Sequence, residues 1–446
     1  MPFELTVQGS LVLPSGRMLR RGWMGISNGE IRAIGSEPLE GEAHVDAGEQ
    51  LVLPGFVDAH VHCRSNPEEG ITAATRSAAA GGTTTVIDMP YDRPARPVRT
   101  VEALEAKIGD VASEAVVDVA LWATFPPTGI LSEIADLADA GAAAFKASTV
   151  HVDADRFPRI PDGQMLAAFS MIAETGLPVA AHQENQEITD FLSSEIRAAG
   201  PPRPIDHARS RPPVAETEAT ARLLEFAHAT GARLHIVHGT VPRTFDLVRS
   251  STVPATAETC IHYLLLDESA FERLGTRVKC NPPLRTRAHV EGLWARLSEG
   301  MIDLVTSDHS PYPLRVKDTD DVFDAWAGLS GAETLGALLY SEGVAAGRLT
   351  LGQFVSLLAS RPAEVFGLDR KGRLDVGRDA DFCLLDPTVE WTVEESGLQC
   401  PSGWSAFQGH SVRGRVTGTW VRGICVYNGA HVIARPGTGQ FVKPSR

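Results

Sequence analysis

The stretch GFVDAHVH, residues 55–62, decides the fold. Before it, ELTVQG, SLVLPSG, GWMGISNGE and IRAIGS alternate β-rich runs with turn signals and read as small antiparallel strands. From Phe56 onward the rhythm changes. Eight short apolar runs follow: FVDAHVH (56–62), TTTVIDM (83–89), VDVALWATF (117–125), AAAFKAS (142–148), LPVAAHQ (177–183), ARLHIVH (232–238), VPATAET (253–259) and IDLVTSD (302–308). Most intervals between them carry a helical period, as at Val101, Leu104, Ile108 and Val111, or Met165, Phe169 and Ile172. Strands alternating with helices form a parallel sheet, and eight such units predict an α/β fold, the closed (β/α)8 TIM barrel.

From about residue 371 short strands return in GRLDVGRDADFCLLDP and RGRVTGTWVRGICVYNG. The simplest organisation joins residues 1–54 and 371–446 into a small β-sandwich, with the barrel, 55–370, inserted between them. Two separate caps are the alternative.

A hydrophobic fraction of 43% and a charged fraction of 22% are those of a soluble globular chain. The net charge of −15, with no offsetting basic cluster, excludes a nucleic-acid footprint. The opening MPFELTVQGS lacks a basic stretch and an apolar core, so no secretory signal is expected. No apolar run approaches the roughly 20 residues of a membrane helix. Six scattered cysteines without a CxxC pair predict neither a disulfide framework nor a cysteine zinc site, and point to a cytoplasmic setting.

Barrel chemistry sits at the C-terminal ends of the strands. There lie His60 and His62 on the first run, Lys146 on the fourth, His182 on the fifth, His238 on the sixth and Asp308 on the eighth. His60-Val61-His62 lies on a strand, so period two turns both imidazoles to one side, where they grip one ion. Each residue alone has an ordinary alternative: a polar core histidine, an aspartate in a turn, a lysine with its head in solvent. Their joint placement favours a metal site. Lys146 is the odd member, because an ammonium group is repelled by a cation. A lysine whose pKa is lowered by metal and burial reacts with CO₂ to give an anionic carbamate, with one oxygen for each of two ions. His235, three residues before His238, is expected on the opposite face, and His309 away from whatever Asp308 faces.

GFVDAHVH, AAAGGTTTVIDMP, FKAS, AHQEN, LHIVHGT, AETCIHYL, KCNPPLR and SDHSP stand in an order that resembles the cyclic amidohydrolase branch of the amidohydrolase superfamily. That branch holds allantoinases, hydantoinases (dihydropyrimidinases) and dihydroorotases. The likeness covers essentially the whole chain. DADRFPRI, ETCIHYL, KCNPPLR, SDHSP and HSVRGRVTGTWVRGICVYNG look most like allantoinase. The resemblance implies that His60, His62 and Asp308 hold one metal, His182 and His238 a second, and carboxylated Lys146 bridges them. Zinc is the usual metal, with manganese, cobalt or iron in some members, and a homo-oligomer, commonly a tetramer, is the usual assembly.

The chain departs from the family where substrate would sit. Cys63-Arg64-Ser65-Asn66-Pro67 replaces the Asn-Glu-Pro-Gly type sequence of allantoinases; Arg64 resembles the dihydroorotase arginine that holds a carboxylate, with Asn66 and Pro67 one place late. Tyr91 stands where dihydroorotases carry asparagine, and Ile261 where proline is usual. The expected substrate contacts are Arg64, Tyr91, His262 and Asn281.

The implied chemistry is ring opening of a small cyclic amide or ureide by a hydroxide bridging the two metals, with Asp308 as general base and later proton donor to the leaving nitrogen. Hydantoinase, dihydropyrimidinase or dihydroorotase activity on another cyclic imide is the alternative. A mononuclear deaminase would need no carbamate, and the filled ligand positions oppose a non-catalytic scaffold.

Overall fold

The computed structural model describes residues 2–153 and 156–445; Ala154 and Asp155, inside the DADRFPRI stretch, lie outside the described residues. The expected runs form eight parallel strands paired in chain order: Phe56–Val61, Thr83–Asp88, Asp118–Ala123, Ala144–Ser148, Pro178–His182, Arg233–Ile236, Ala255–Cys260 and Leu304–Thr306. The first and eighth meet through His62 N–H donating to His309 O at 2.9 Å and Ser307 N–H donating to Asp58 Oδ1 at 3.1 Å. The sheet is thereby a nearly closed (β/α)8 barrel.

Alternation along the strands creates two apolar layers. Val57, Ala59, Ile87, Ala120, Trp122, Ala144, Ala180 and Leu304 cluster together with Phe366. The alanines make room for Trp122, whose indole N–H donates to Ala59 O at 3.1 Å. Strand residues on the other side, such as Val61, Val119, Phe145 and Val179, pack against the helices. The helix expected from Val101, Leu104, Ile108 and Val111 spans Val101–Glu114, and Thr100 caps it by accepting from Ala103 N–H at 3.2 Å. The pattern at Met165, Phe169 and Ile172 becomes Asp162–Thr175, ended by Gly176 in the left-handed region at φ 73°.

The terminal segments share one seven-stranded sheet rather than forming two caps. Its order is Ile424–Tyr427, Ser411–Val421, Phe382–Thr392, Gly41–Pro54, Phe3–Val12, Met18–Ser27, Glu30–Gly35. Phe382 pairs with Pro54 and Leu385 with Leu51, which joins the chain's two ends. Val7, Leu11, Met24, Ile26, Val52, Phe382 and Leu384 form its own core. Leu51, Leu53, Cys383 and Leu385 instead join the cluster that contains Phe56 and Ala79 of the barrel. The last residues return to the barrel, where Val119 N–H donates to Gln440 O and Val442 N–H to Val119 O, each at 2.9 Å. Among the described residues no helix is long and apolar enough to cross a membrane.

Candidate metal centre

The six ligand-type residues line one pocket: His60, His62, Lys146, His182, His238 and Asp308. They fall into two groups. Asp308 Oδ1 lies 3.3 Å from His60 Nε2 and 3.4 Å from His62 Nε2. His182 Nδ1 and His238 Nε2 face each other at 3.0 Å. The His60 and His238 rings, 5.3 Å apart, bring the groups together. Lys146 is buried on the fourth strand and pairs in register with Ala180, two residues before His182.

Burial sets the charge state of this pocket. It draws the Lys146 ammonium down to about 8, against the opposing pull of Glu258 and Asp308. Burial lowers His62 to about 4, and lowers His182 and His238 as well. For Asp308 burial works upward, but His60 and His62 outweigh it and hold the carboxyl at about 2. Neutral imidazoles converging with an ionised carboxylate form a donor set for divalent ions. The residues fit a metal on that ground.

Two of the expected ligands sit beyond the strand ends. The sixth strand stops at Ile236 and the eighth at Thr306, and His238 and Asp308 adopt left-handed backbone at φ 38° and 44°. Such conformations cost a non-glycine residue on the order of 1 kcal/mol or more and persist where neighbours hold them. His238 N–H donates to Glu258 Oε1 at 3.2 Å, and the His309 N–H after Asp308 donates to Ser307 Oγ at 3.1 Å. The turn also corrects the facing of His235. Its ring turns inward onto Glu258 Oε2 at 3.1 Å and Phe366, with ring centroids 5.3 Å apart, because the chain leaves strand geometry between it and His238. His309 does face away from the pocket, onto Glu69 at 2.7 Å.

A layer of partners behind the ligands escaped the sequence reading. His60 Nδ1 meets Glu258 Oε1 at 2.5 Å, and His182 Nε2 meets Glu184 Oε2 at 2.7 Å. Arg211 grips the same Glu184 oxygen. Asp58, drawn up to about 6 by burial, accepts from Ser307 N–H. One signal was available: Asp58 and Glu184 each stand two residues from a ligand histidine. Glu258 carried no such spacing.

The expected substrate contacts divide. Asn281 lines the pocket. Arg64 does not; its guanidinium pairs with Asp110 and, at 2.7 Å, with Glu114 of the Val101–Glu114 helix. Tyr91 is buried, and its hydroxyl donates to Lys146 O at 2.8 Å beside Thr124 Oγ1, which donates to that oxygen at 2.7 Å. Its ring stacks at 3.9 Å on Phe157, which lines the pocket. His262 is buried near Asp308, with Nε2 unpartnered among the described residues. Arg156, not singled out in the sequence, lines the pocket and donates to Ser65 Oγ at 3.0 Å and Tyr91 O at 2.6 Å. Outside this pocket a vestibule of about 460 Å³ shares Val152, Arg156, Asn281, Tyr312 and Ala327 with it.

Two other buried clusters of ligand-type residues already have partners of their own. Asp118, Asp379 and Asp381 surround the Lys371 ammonium at 2.5–2.8 Å. In the Glu69, His309 and Cys400 group, His309 spends Nε2 on Glu69 and accepts Gly331 N–H at Nδ1.

Comparison with known proteins agrees with this geometry. The amidohydrolase family profile matches residues 51–426. The chain is 39% identical to an allantoinase of Rubrobacter xylanophilus, over all of this chain and 98% of that protein. It is 32% identical to an allantoinase of Escherichia coli, with 99% of each covered. Among solved structures it superposes on the L-hydantoinase (dihydropyrimidinase) of Arthrobacter aurescens with a TM-score of 0.95 and 32% identity, covering 99% of this chain and 100% of that one. With the barrel, the donor residues near its strand ends and full-length relatives in agreement, the chain belongs to the amidohydrolase family.

Proposed function

We propose that the protein opens the ring of a cyclic amide or ureide, as an allantoinase does. The convergence of five imidazole and carboxylate donors around buried Lys146 carries this reading, together with the full-length allantoinase relatives. His60, His62 and Asp308 would hold one divalent ion, His182 and His238 a second, and carboxylated Lys146 would supply an oxygen to each. Such ions acidify a water and polarise an amide carbonyl.

The remaining work belongs to the chain. Lys146, lowered to about 8, keeps enough free amine near neutral pH to add to CO₂ and lose a proton. Asp308 directs Oδ1 at the histidine pair, which leaves Oδ2 to take a proton from the attacking water and pass it to the leaving nitrogen. Asn281 and Arg156 present polar groups to the substrate, and Phe157 and Tyr312 wall the ring. Tyr91 acts through the Lys146 carbonyl rather than on substrate. Zinc as the metal and a tetrameric assembly follow the same family reading, and the unit boundaries at 54/55 and 370/371 follow the change of rhythm in the sequence. Free cysteines, all six unpaired, support a cytoplasmic setting.

Hydantoinase-type activity is the second reading, favoured by the close superposition on the Arthrobacter enzyme. Metal-loaded protein offered allantoin, hydantoins, dihydropyrimidines and dihydroorotate decides between them. Ring-opened allantoin, detected by mass, with two ions per chain is the expected result. Two-ion protein that opens none of these rings overturns the proposal, and fully active protein with one ion overturns its two-metal form.

A further inference from the structure

Glu258 lies on the seventh barrel strand, fully buried, and is not itself among the proposed ligands. Its carboxylate nevertheless meets both halves of the ligand set. Oε1 accepts from His60 Nδ1–H at 2.5 Å and from the His238 backbone N–H at 3.2 Å. Oε2 accepts from His235 Nε2–H at 3.1 Å, while Thr256 Oγ1 donates to His235 Nδ1 at 2.8 Å. The Glu258 backbone carbonyl takes Gly239 N–H at 2.8 Å. Three N–H donors thus converge on the Glu258 carboxylate.

Each contact has a consequence for a ligand. With Nδ1–H spent on Glu258, His60 carries its lone pair on Nε2, the nitrogen that faces Asp308 Oδ1 at 3.3 Å. His238 sits at φ 38°, and the bonds from its own N–H and from Gly239 N–H hold that turn. The turn aims the His238 ring at His182, 3.0 Å away. Glu184 differs, because among the ligands its carboxylate touches only His182.

We propose that Glu258 is a positioning residue shared by the two metal half-sites, so that its loss weakens the binding of both ions. A ligand-orienting carboxylate commonly tunes one ion; here one carboxylate orients a side chain for the first ion and a backbone turn for the second. The inference rests on the two-ion reading above.

The test compares wild type, Glu258→Gln and Glu184→Gln, each dialysed against a series of chelator-buffered zinc concentrations. Retained zinc per chain is counted by elemental mass spectrometry, and circular dichroism of the metal-free proteins checks the fold. Glu258→Gln is expected to weaken both ions, each by about 10- to 100-fold. Glu184→Gln is expected to weaken one ion and leave the other near wild type. Weakening of a single ion in Glu258→Gln, or wild-type retention of both, overturns the shared support. If that variant does not fold, Glu258→Asp retains the charge but withdraws it by one methylene; joint weakening supports the proposal, and wild-type retention or single loss overturns it. Wild-type protein that never holds two ions refutes the two-ion reading instead, before any variant is compared.

Discussion

Asp308 depends on its surroundings for both charge and aim. His60 and His62 hold it near 2 despite burial, so it is a carboxylate at every pH where the protein would work. Asp308→Asn preserves the shape and one oxygen donor but removes the proton acceptor. Metal content should stay largely intact while kcat falls by about 10²- to 10⁴-fold, measured by steady-state kinetics beside metal analysis. Unchanged turnover removes Asp308 as the base. The two arginines near the first strand make opposite predictions. Arg156 lines the pocket, whereas Arg64 is spent on Asp110 and Glu114. Arg156→Met should raise KM by about tenfold or more, the worth of a lost charge-assisted hydrogen bond, and Arg64→Met should leave KM unchanged. A KM shift in Arg64→Met alone reverses that assignment.

The regular elements were the easiest part to read. Helical spacing at Val101, Leu104, Ile108 and Val111 is a local property, because one turn of chain carries each residue to the same face. Strand ends were harder: the runs ending in His238 and Asp308 continue past Ile236 and Thr306 in left-handed turns that apolar alternation does not encode. The terminal tail gave no periodic signal, yet Gly437 and Gly439 N–H groups both donate to Ala115 O, at 2.9 and 3.0 Å. A Cβ on Gly439 would meet Val117 O at 2.0 Å. Gly439→Ala should therefore push the tail off the barrel, at a cost of about 1–3 kcal/mol seen as a lower Tm. Because the ligands lie at the opposite ends of the strands, kcat should be preserved. A parent-like Tm would mean that the tail contributes little.

At the scale of the molecule, Glu333 joins the barrel to the connection between strands Phe382–Thr392 and Ser411–Val421 of the terminal sheet by accepting Gln399 N–H at 2.6 Å. Burial raises its carboxyl from 4.5 to about 7. The folded protein therefore binds this proton more tightly than the unfolded chain. The resulting stability is present below about pH 4.5 and is lost as pH rises through 7. Glu333→Gln keeps the acceptor oxygen and removes the titration. Its stability relative to the parent, followed through Tm, should be higher at pH 8 than at pH 5, by on the order of 2 kcal/mol after allowance for partial exposure. A difference in Tm that does not change with pH assigns the junction's stability to packing.

The order of eight strand–helix units, and the six residues that meet in one pocket, were legible in the chain alone, because period, run length and residue chemistry are local. The join between the two ends was legible as a return of short strands; its register, Phe382 against Pro54, was not. Arg64 reads as a substrate contact until the Val101–Glu114 helix packs beside it with two carboxylates. Glu258 reads as one polar residue in a strand until closure of the barrel sets it under His60, His235 and His238. Which donors line the pocket was thus written in the sequence. How they are held was decided by the tertiary structure, since those bonds join residues from strands one, six and seven that only the closed barrel brings within hydrogen-bond reach.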